Sequence, residues 1–232
     1  MQHAYCLDGD VYEIGVDEAG RGPMLGRVYA AAVILPLLKS NINSNSNSKY
    51  NHALMKDSKK FHSEKKIQAA AAYIKENAIA WAVAYASETV IDEINIRNAT
   101  HRAMHDAITA VIKQASEAAQ SASEAAQSAN EILLLVDGND FTPYHINNKR
   151  ISHVCIEGGD NTYTAIAAAS ILAKVARDTY IADLCTAQPD LITHYDLLKN
   201  KGYGTKKHMD GIKAHGITPL HRKTFGICKT FA

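Results

Sequence analysis

Apolar and polar positions along this 232-residue chain fall into two alternating patterns. Short continuous apolar runs occur at Val11 to Val16, Val28 to Leu35, Ile79 to Ala86, Ile132 to Val136 and Ile151 to Ile156. Each has the length and composition of a buried strand. Helical spacing fills Ser63 to Asn77, the chain from Ala99 onward, and about Thr164 to Leu184. Strands and helices alternating in this way predict an α/β fold with a mixed sheet flanked by helices. The first two runs, separated only by a Gly/Pro-rich turn, predict a hairpin, and the uniformly apolar run ending at Val136 predicts a central strand covered on both faces. Asn41 to Asn47 is an Asn/Ser tract without core-forming residues, which makes Leu38 to His52 a surface loop. A duplicated heptad, Ser116 to Ala122 and Ser123 to Ala129, extends the preceding helix, because a coiled coil needs about three or four heptads.

Composition narrows the class. A hydrophobic content of 47% with 21% charged residues suits one sizeable core and a smaller appended lobe. The division expected is residues 1–185 and a C-terminal lobe, 186–232. Cys6, Cys155, Cys185 and Cys228 are far apart and form no Cys-x-x-Cys pair, which argues against a zinc ribbon or a disulfide framework and for a reducing compartment. There is no uncharged apolar run of about 18 residues, and acids crowd the first twenty positions, so a cytoplasmic protein with no membrane association is expected. The net charge of +1 conceals an asymmetry: residues 199–232 carry eight Lys/Arg against Asp210 alone, a surplus of seven, which leaves the remainder six negative. A basic lobe beside an acidic body suits a bound polyanion, although a solvated cationic surface would give the same count.

The candidate chemistry lies at strand ends. Asp17-Glu18, Asp137 and Asp160 each follow an apolar strand, and sites of α/β sheets gather at such edges. Adjacent strand residues point to opposite faces, so Asp17 and Glu18 can share one site only through a turn or bulge, a freedom Ala19-Gly20 could supply. Clustered carboxylates at about 4 Å repel by roughly 4 kcal/mol at an effective dielectric near 20, a penalty a divalent cation removes. Oxygen-only ligands suit Mg²⁺ or Mn²⁺, and two such ions about 3.5 to 4 Å apart can activate water and stabilise the leaving oxygen of a phosphodiester.

These residues also resemble a known family. Asp17-Glu18-Ala19-Gly20-Arg21-Gly22-Pro23, with Asp57-Ser58-Lys59-Lys60 and the run Ala168 to Asp178, resembles the ribonuclease HII family, the type 2 ribonucleases H. Ile91 to Ile96, Val136-Asp137-Gly138, Gly202-Tyr203-Gly204-Thr205 and His221-Arg222-x-x-Phe225 extend the likeness over nearly the whole chain.

The resemblance implies a ribonuclease H-like fold with a helical C-terminal lobe, acting on RNA/DNA hybrids and ribonucleotide-containing duplex DNA; no peptide resembling a sliding-clamp ligand stands out after Arg222, so a monomer is expected. Cleavage would fall on the 5′ side of an embedded ribonucleotide and leave 5′-phosphate and 3′-hydroxyl ends, with Mg²⁺ or Mn²⁺ present as two ions once substrate is bound. It implies Asp17, Glu18, Asp137 and Asp160 as metal-binding and catalytic acids. Gly20, Arg21 and Gly22 would surround the ribonucleotide and read its 2′-hydroxyl, and Tyr203 would pack on the neighbouring deoxyribose. Lys59 and Arg222 become candidates for phosphate contacts, and Ser170 for a substrate contact or a bond to a helix carbonyl. One departure is Gly158, which stands where the family usually has a lysine two residues before its fourth acid.

Blander readings exist for each feature. Asp137 could cap the next segment, Asp160 could serve an Asx turn, Asp178 could form a helical ion pair and Tyr203 could be a core tyrosine. His101 and His105 share a helix face without a third metal ligand. For the whole chain, the competitors are a catalytically silent hybrid-binding module and an ATPase sharing the broader fold.

Overall fold

The computed structural model describes residues 1–6, 11–36, 50–121 and 131–232. The Asn/Ser tract and the second heptad copy lie outside the described residues. Five strands form the main sheet: β1 (Val11–Ala19), β2 (Val28–Ile34), β3 (Ala80–Ala86), β4 (Glu131–Asp137) and, after a small hairpin of β5 (His145–Ile146) and β6 (Lys149–Arg150), β7 (Ser152–Ile156). The order is β3-β2-β1-β4-β7, antiparallel from β3 to β1 and parallel across β1, β4 and β7. The predicted hairpin is β1–β2, paired from Ile14↔Ile34 to Ala19↔Tyr29. Strand β1 is the middle of the five, and β4, next to it, is paired on both edges with β1 and β7, as expected of an interior strand.

Helices cover both faces. Helix α1 (Glu64–Asn77) and the long α4 (Thr164–Ala187) lie on one side, and α2 (Glu88–Ser121) lies on the other. In α2, Ala99, Ala103, Met104, Ala107, Ile108 and Val111 recur at helical spacing and meet Ile14, Val16, Leu134 and Val136 of the sheet. This helix starts earlier than Ala99. Its first turns, from Glu88, are separated from the rest by Asn95, whose backbone at φ 66° and ψ 163° is non-helical, so periodicity read from sequence is interrupted there. Tyr50 and His52 are also not surface residues. Tyr50 packs with Met55 against the α1 and α4 layer, and His52 meets the Thr164 hydroxyl at 3.0 Å. Tyr50 and His52, at the end of the expected surface loop, are therefore part of the packed layer.

Helix α4 rests directly on β1, and small residues make this possible. A Cβ at Gly15 would stand 2.1 Å from the carbonyl carbon of Ala165, and Ala165, Ala167, Ala168, Ala169 and Ala173 belong to the helix underside. Beyond the sheet, α4 continues into a third cluster, where Ile181 and Cys185 pack with Leu191 and Tyr195 of α5 (Asp190–Tyr195), Leu197 of α6 (Leu197–Asn200) and Ile212 of α7 (Lys206–His215). Met24 and Leu25 of the β1–β2 turn belong to the same cluster, which ties the C-terminal segment to the strand ends. Among the described residues no helix is long and apolar enough to cross a membrane. Cys155, Cys185 and Cys228 carry free thiols.

Gly15→Ala would force backbone against backbone, and overpacking of this kind costs about 2 kcal/mol or more. Urea denaturation should show a lower midpoint with an unchanged slope, and an unchanged midpoint would contradict the close β1–α4 approach.

Candidate active site

Three parallel strands deliver their C-terminal ends to one side of the sheet. Pairing of β1 with β4 stops at Val16↔Val136, and that of β4 with β7 reaches Asp137↔Ile156. The anticipated turn or bulge at Asp17-Glu18 is absent: the β1–β2 register continues through Ala19. Strand β1 outruns its parallel neighbour instead, so its two faces border the same opening and both carboxylates reach it.

The opening is a cleft of about 470 Å³. Asp17, Glu18 and Asp137 line it with Gly20, Arg21, Gly22, Ser58, Lys59, Ser170 and Tyr203, and Lys174, Arg177, Asp178, Lys199, Asn200 and Lys201 complete the wall. Asp160 lies behind Asp137 in the short turn α3 (Gly159–Thr162), 3% exposed, with its N–H 3.4 Å from Asp137 Oδ1. Lys59 Nζ stands 3.9 Å from Asp160 Oδ2. Lys60 and Asn161 are hydrogen-bonded, and Asn161 donates to Asp160 at 3.0 Å and to Asp57 at 3.4 Å. Lysines of the 58–60 turn thus face the corner where Gly158 brings no charge.

The electrostatics are those of crowded, desolvated acids. Burial first, then Glu18 and Asp137, push the Asp17 carboxyl well above the usual range. Burial and Asp137 raise Glu18 against the pull of Arg21, whose guanidinium is 3.4 Å away. Burial, Asp137 and Asp57 raise Asp160. The ammonium of Lys59 is favoured by Asp160, Asp57, Asp17 and Asp137, which outweigh its own partial burial. Among the described residues no three His, Cys, Asp or Glu side chains close into a ready-made ion cage. An anionic, oxygen-only and partly dry donor set fits a hard divalent cation, which would relieve the repulsion.

Gly20-Arg21-Gly22 lies between two side chains. Gly20 takes φ +95°, and a Cβ there would stand 2.3 Å from Arg177 Nε, while one at Gly22 would stand 3.3 Å from Cε1 of Tyr203. Only glycine fits the first of these positions. Tyr203 is 49% exposed, with the Arg177 guanidinium 5.7 Å from its ring centroid, so it is not a core tyrosine. Ser170 borders the cleft, where its hydroxyl lowers the proton affinity of Asp17 and lies 3.0 Å from that of Ser58. It orients a carboxylate from α4.

Arg222 requires a correction. Expected as a phosphate contact, it is fully buried and donates to the carbonyls of Gly26, Arg21 and Gly20 at 2.8, 2.9 and 2.6 Å. Burial and the nearby Arg177 push its pKa down to about 9, which leaves it charged at neutral pH. It braces the glycine loop from behind. His101 and His105 bind the Thr142 hydroxyl and carbonyl, each at 2.8 Å, and hold the chain after β4.

Arg177 is the residue that sequence reasoning missed. It is 3% exposed, its Nη2 donates to the Lys201 carbonyl at 2.6 Å, and it presses on both the glycine loop and Tyr203. A mid-helix arginine followed by Asp178 reads from sequence as one half of a surface ion pair. Asp178 pairs chiefly with Lys174, at 2.6 Å, and stands 4.0 Å from Arg177 Nη1. Only the close approach at Gly20 discloses what Arg177 touches.

A family model described as Ribonuclease HII matches residues 14–228. A Ribonuclease HII from Parabacteroides distasonis is 44% identical over 213 residues, which cover 92% of this chain and 89% of that protein. The ribonuclease H2 structure from Pyrococcus horikoshii superposes with a TM-score of 0.67 at 18% identity, covering 94% of this chain and 96% of that one. Bst-RNase HIII, solved in complex with Mn²⁺, gives 0.61 at 18% identity over 95% of this chain and 69% of that one. At these identities the two structures establish a shared fold.

The raised carboxyl of Asp17 carries a pH signature. A group whose folded pKa is raised contributes stability below its unfolded pKa and loses it as pH rises through the folded value. Asp17→Asn should therefore melt higher than wild type in EDTA, with a gap that widens from pH 5 to pH 8. Mn²⁺ should raise the wild-type midpoint and narrow that gap. A variant that melts lower across this range would refute the shared-acid site.

Proposed function

The chain belongs to the ribonuclease HII family of metal-dependent endoribonucleases, and on that premise we propose that it cuts the RNA strand of RNA/DNA hybrids and nicks duplex DNA on the 5′ side of an embedded ribonucleotide, leaving 5′-phosphate and 3′-hydroxyl ends. The observation that carries this reading is the shared cleft: strand-end acids, a glycine-bracketed arginine and an exposed tyrosine face one opening. Asp17, Glu18, Asp137 and Asp160 are the proposed catalytic and metal-binding acids. Mg²⁺ or Mn²⁺, two ions with substrate present, would supply a Lewis acid for the phosphodiester and a more acidic attacking water. The Mn²⁺ of the Bst-RNase HIII complex supports that choice.

The chain's own groups supply selection and grip. At Gly20 and Gly22 the backbone can approach a ribose without side-chain interference, and the 2′-hydroxyl is the feature by which RNA differs from DNA. Tyr203, across a narrow gap from Gly22, would pack on the next sugar, where a second hydroxyl would crowd the ring. Recognition of an RNA-to-DNA junction follows. Lys59, Lys174, Lys199 and Lys201 line the same cleft and would hold phosphates without reading sequence. Residues 186–232 would supply the basic wall against a body formed by residues 1–185. A single copy contains every proposed site residue, in keeping with a monomer working in the cytoplasm.

The test is a duplex carrying one ribonucleotide, incubated with Mn²⁺. A nick 5′ of the ribonucleotide, lost in Asp137→Asn with binding retained, is expected. Binding without a nick in wild type would favour a silent hybrid-binding module, and ATP turnover without a nick would favour a kinase-like enzyme. Tyr203→Ala should lower cleavage at the single ribonucleotide more than in a continuous hybrid, and equal losses would remove Tyr203 from junction reading. Duplex affinity should fall steeply with salt through counterion release, and a flat response would exclude the basic wall as the contact.

A further inference from the structure

Two buried histidines stand behind the cleft with no part in the chemistry described so far. His208 of α7 and His221 are 0% and 1% exposed, and their Nε2 atoms are 3.1 Å apart. At that separation one nitrogen donates and the other accepts, and the surroundings decide which. His221 Nδ1 accepts from the Thr218 backbone N–H at 2.9 Å, so it carries a lone pair, and in the neutral ring the proton resides on Nε2. That N–H donates to His208 Nε2, which leaves the His208 proton on Nδ1, 3.0 Å from the Tyr203 carbonyl. The direction of the whole chain is fixed: Thr218 N–H to His221, His221 to His208, His208 to the carbonyl of Tyr203.

The next residue completes the arrangement. Arg222 donates to the carbonyls of Gly20, Arg21 and Gly26, and the backbone around it is laced to the same turn, Arg222 N–H to the Met24 carbonyl at 2.8 Å and Gly26 N–H to the Leu220 carbonyl at 2.9 Å. Met24 N–H in turn donates to the Gly202 carbonyl at 2.8 Å. Consecutive residues therefore secure the two sides of the gap between Gly22 and Tyr203. Resting on the reading of that gap as the junction reader, we propose that His221 and Arg222 form a clasp, with His208 as a one-way hydrogen-bond relay, that sets the Gly22–Tyr203 spacing and so the preference for a ribonucleotide followed by a deoxyribonucleotide. These are positioning residues, since none of the three reaches the cleft.

The relay works only with neutral imidazoles, because a second proton would set two N–H groups face to face. Burial keeps both rings neutral at physiological pH, and it pushes His221 down to about 4. Tyr195 of α5 packs edge-on against both rings, at centroid distances of 5.9 and 5.0 Å, and closes the pair from solvent.

Two measurements test the clasp. Nitrogen-15 spectra of the full-length protein at pH 7 should show His221 protonated on Nε2 alone and His208 on Nδ1 alone. The reverse tautomers, or a doubly protonated ring, would overturn the relay whatever the enzyme's activity. For function, the readout is kcat/KM on a single-ribonucleotide duplex divided by that on a continuous hybrid. His221→Phe keeps the ring and removes the donor, and should lower this ratio about tenfold. His221→Gln, whose amide can donate at the Nε2 position, should restore most of it. If Tyr203→Ala lowers the ratio and His221→Phe does not, the clasp fails while the junction reading stands. If wild type shows no preference between the substrates, the junction reading itself has failed. Should His221→Phe not fold, the nitrogen-15 spectrum still decides the relay.

Discussion

Repulsion among partly buried carboxylates is the constraint around which this molecule is arranged. Asp17 and Asp160 are 5% and 3% exposed, and each has its proton affinity raised by burial and by other acids. Folding alone gains nothing from such a cluster, since one unit of pKa shift corresponds to about 1.4 kcal/mol of unfavourable interaction with the charged form. Such a cluster calls for compensating positive charge. Lys59 and Arg21 supply part of that charge at the rim, and a divalent cation would supply the remainder.

Holding the acids near one another demands a rigid frame, and the frame comes from close backbone packing. Three parallel strands set the spacing of Asp17, Asp137 and the turn that carries Asp160. Gly15 lets α4 lie against the middle strand, and that contact places Ser170 beside Asp17. The C-terminal segment then returns across nearly the whole sequence to brace the glycine loop through Arg222. The proposed chemistry, the proposed ribose recognition and their support would thus come from the strand ends, the loop between β1 and β2, and residues 200–222.

Much of this was legible in the amino-acid order because the signals were local. Apolar runs ending in acids marked the strands, and helical spacing from about Thr164 marked the long helix α4. Parallel pairing then brought the marked ends of β1 and β4 to one cleft, which accounts for the agreement of the fold with the reading from sequence. What escaped depended on long-range packing. Arg222 looked like a surface cation because nothing near it in sequence reports that three carbonyls some 200 residues away enclose it. Arg177 passed unnoticed for the same reason. A bulge at Asp17-Glu18 was expected from alternation alone, and strand β1 solved the problem by extending past its neighbour. Asn95 broke the period of α2 with a backbone conformation that asparagine seldom adopts.

The most direct test of the account is a Mn²⁺ anomalous difference map from a crystal of this chain bound to a duplex with one ribonucleotide, trapped by a non-bridging sulfur at the scissile phosphate. The account predicts density between the carboxylates of Asp17, Glu18 and Asp137, with Asp160 drawn in beside it and the 2′-hydroxyl against the Gly20–Gly22 backbone. Metal density away from these acids, or a duplex seated on another face of the molecule, would contradict it.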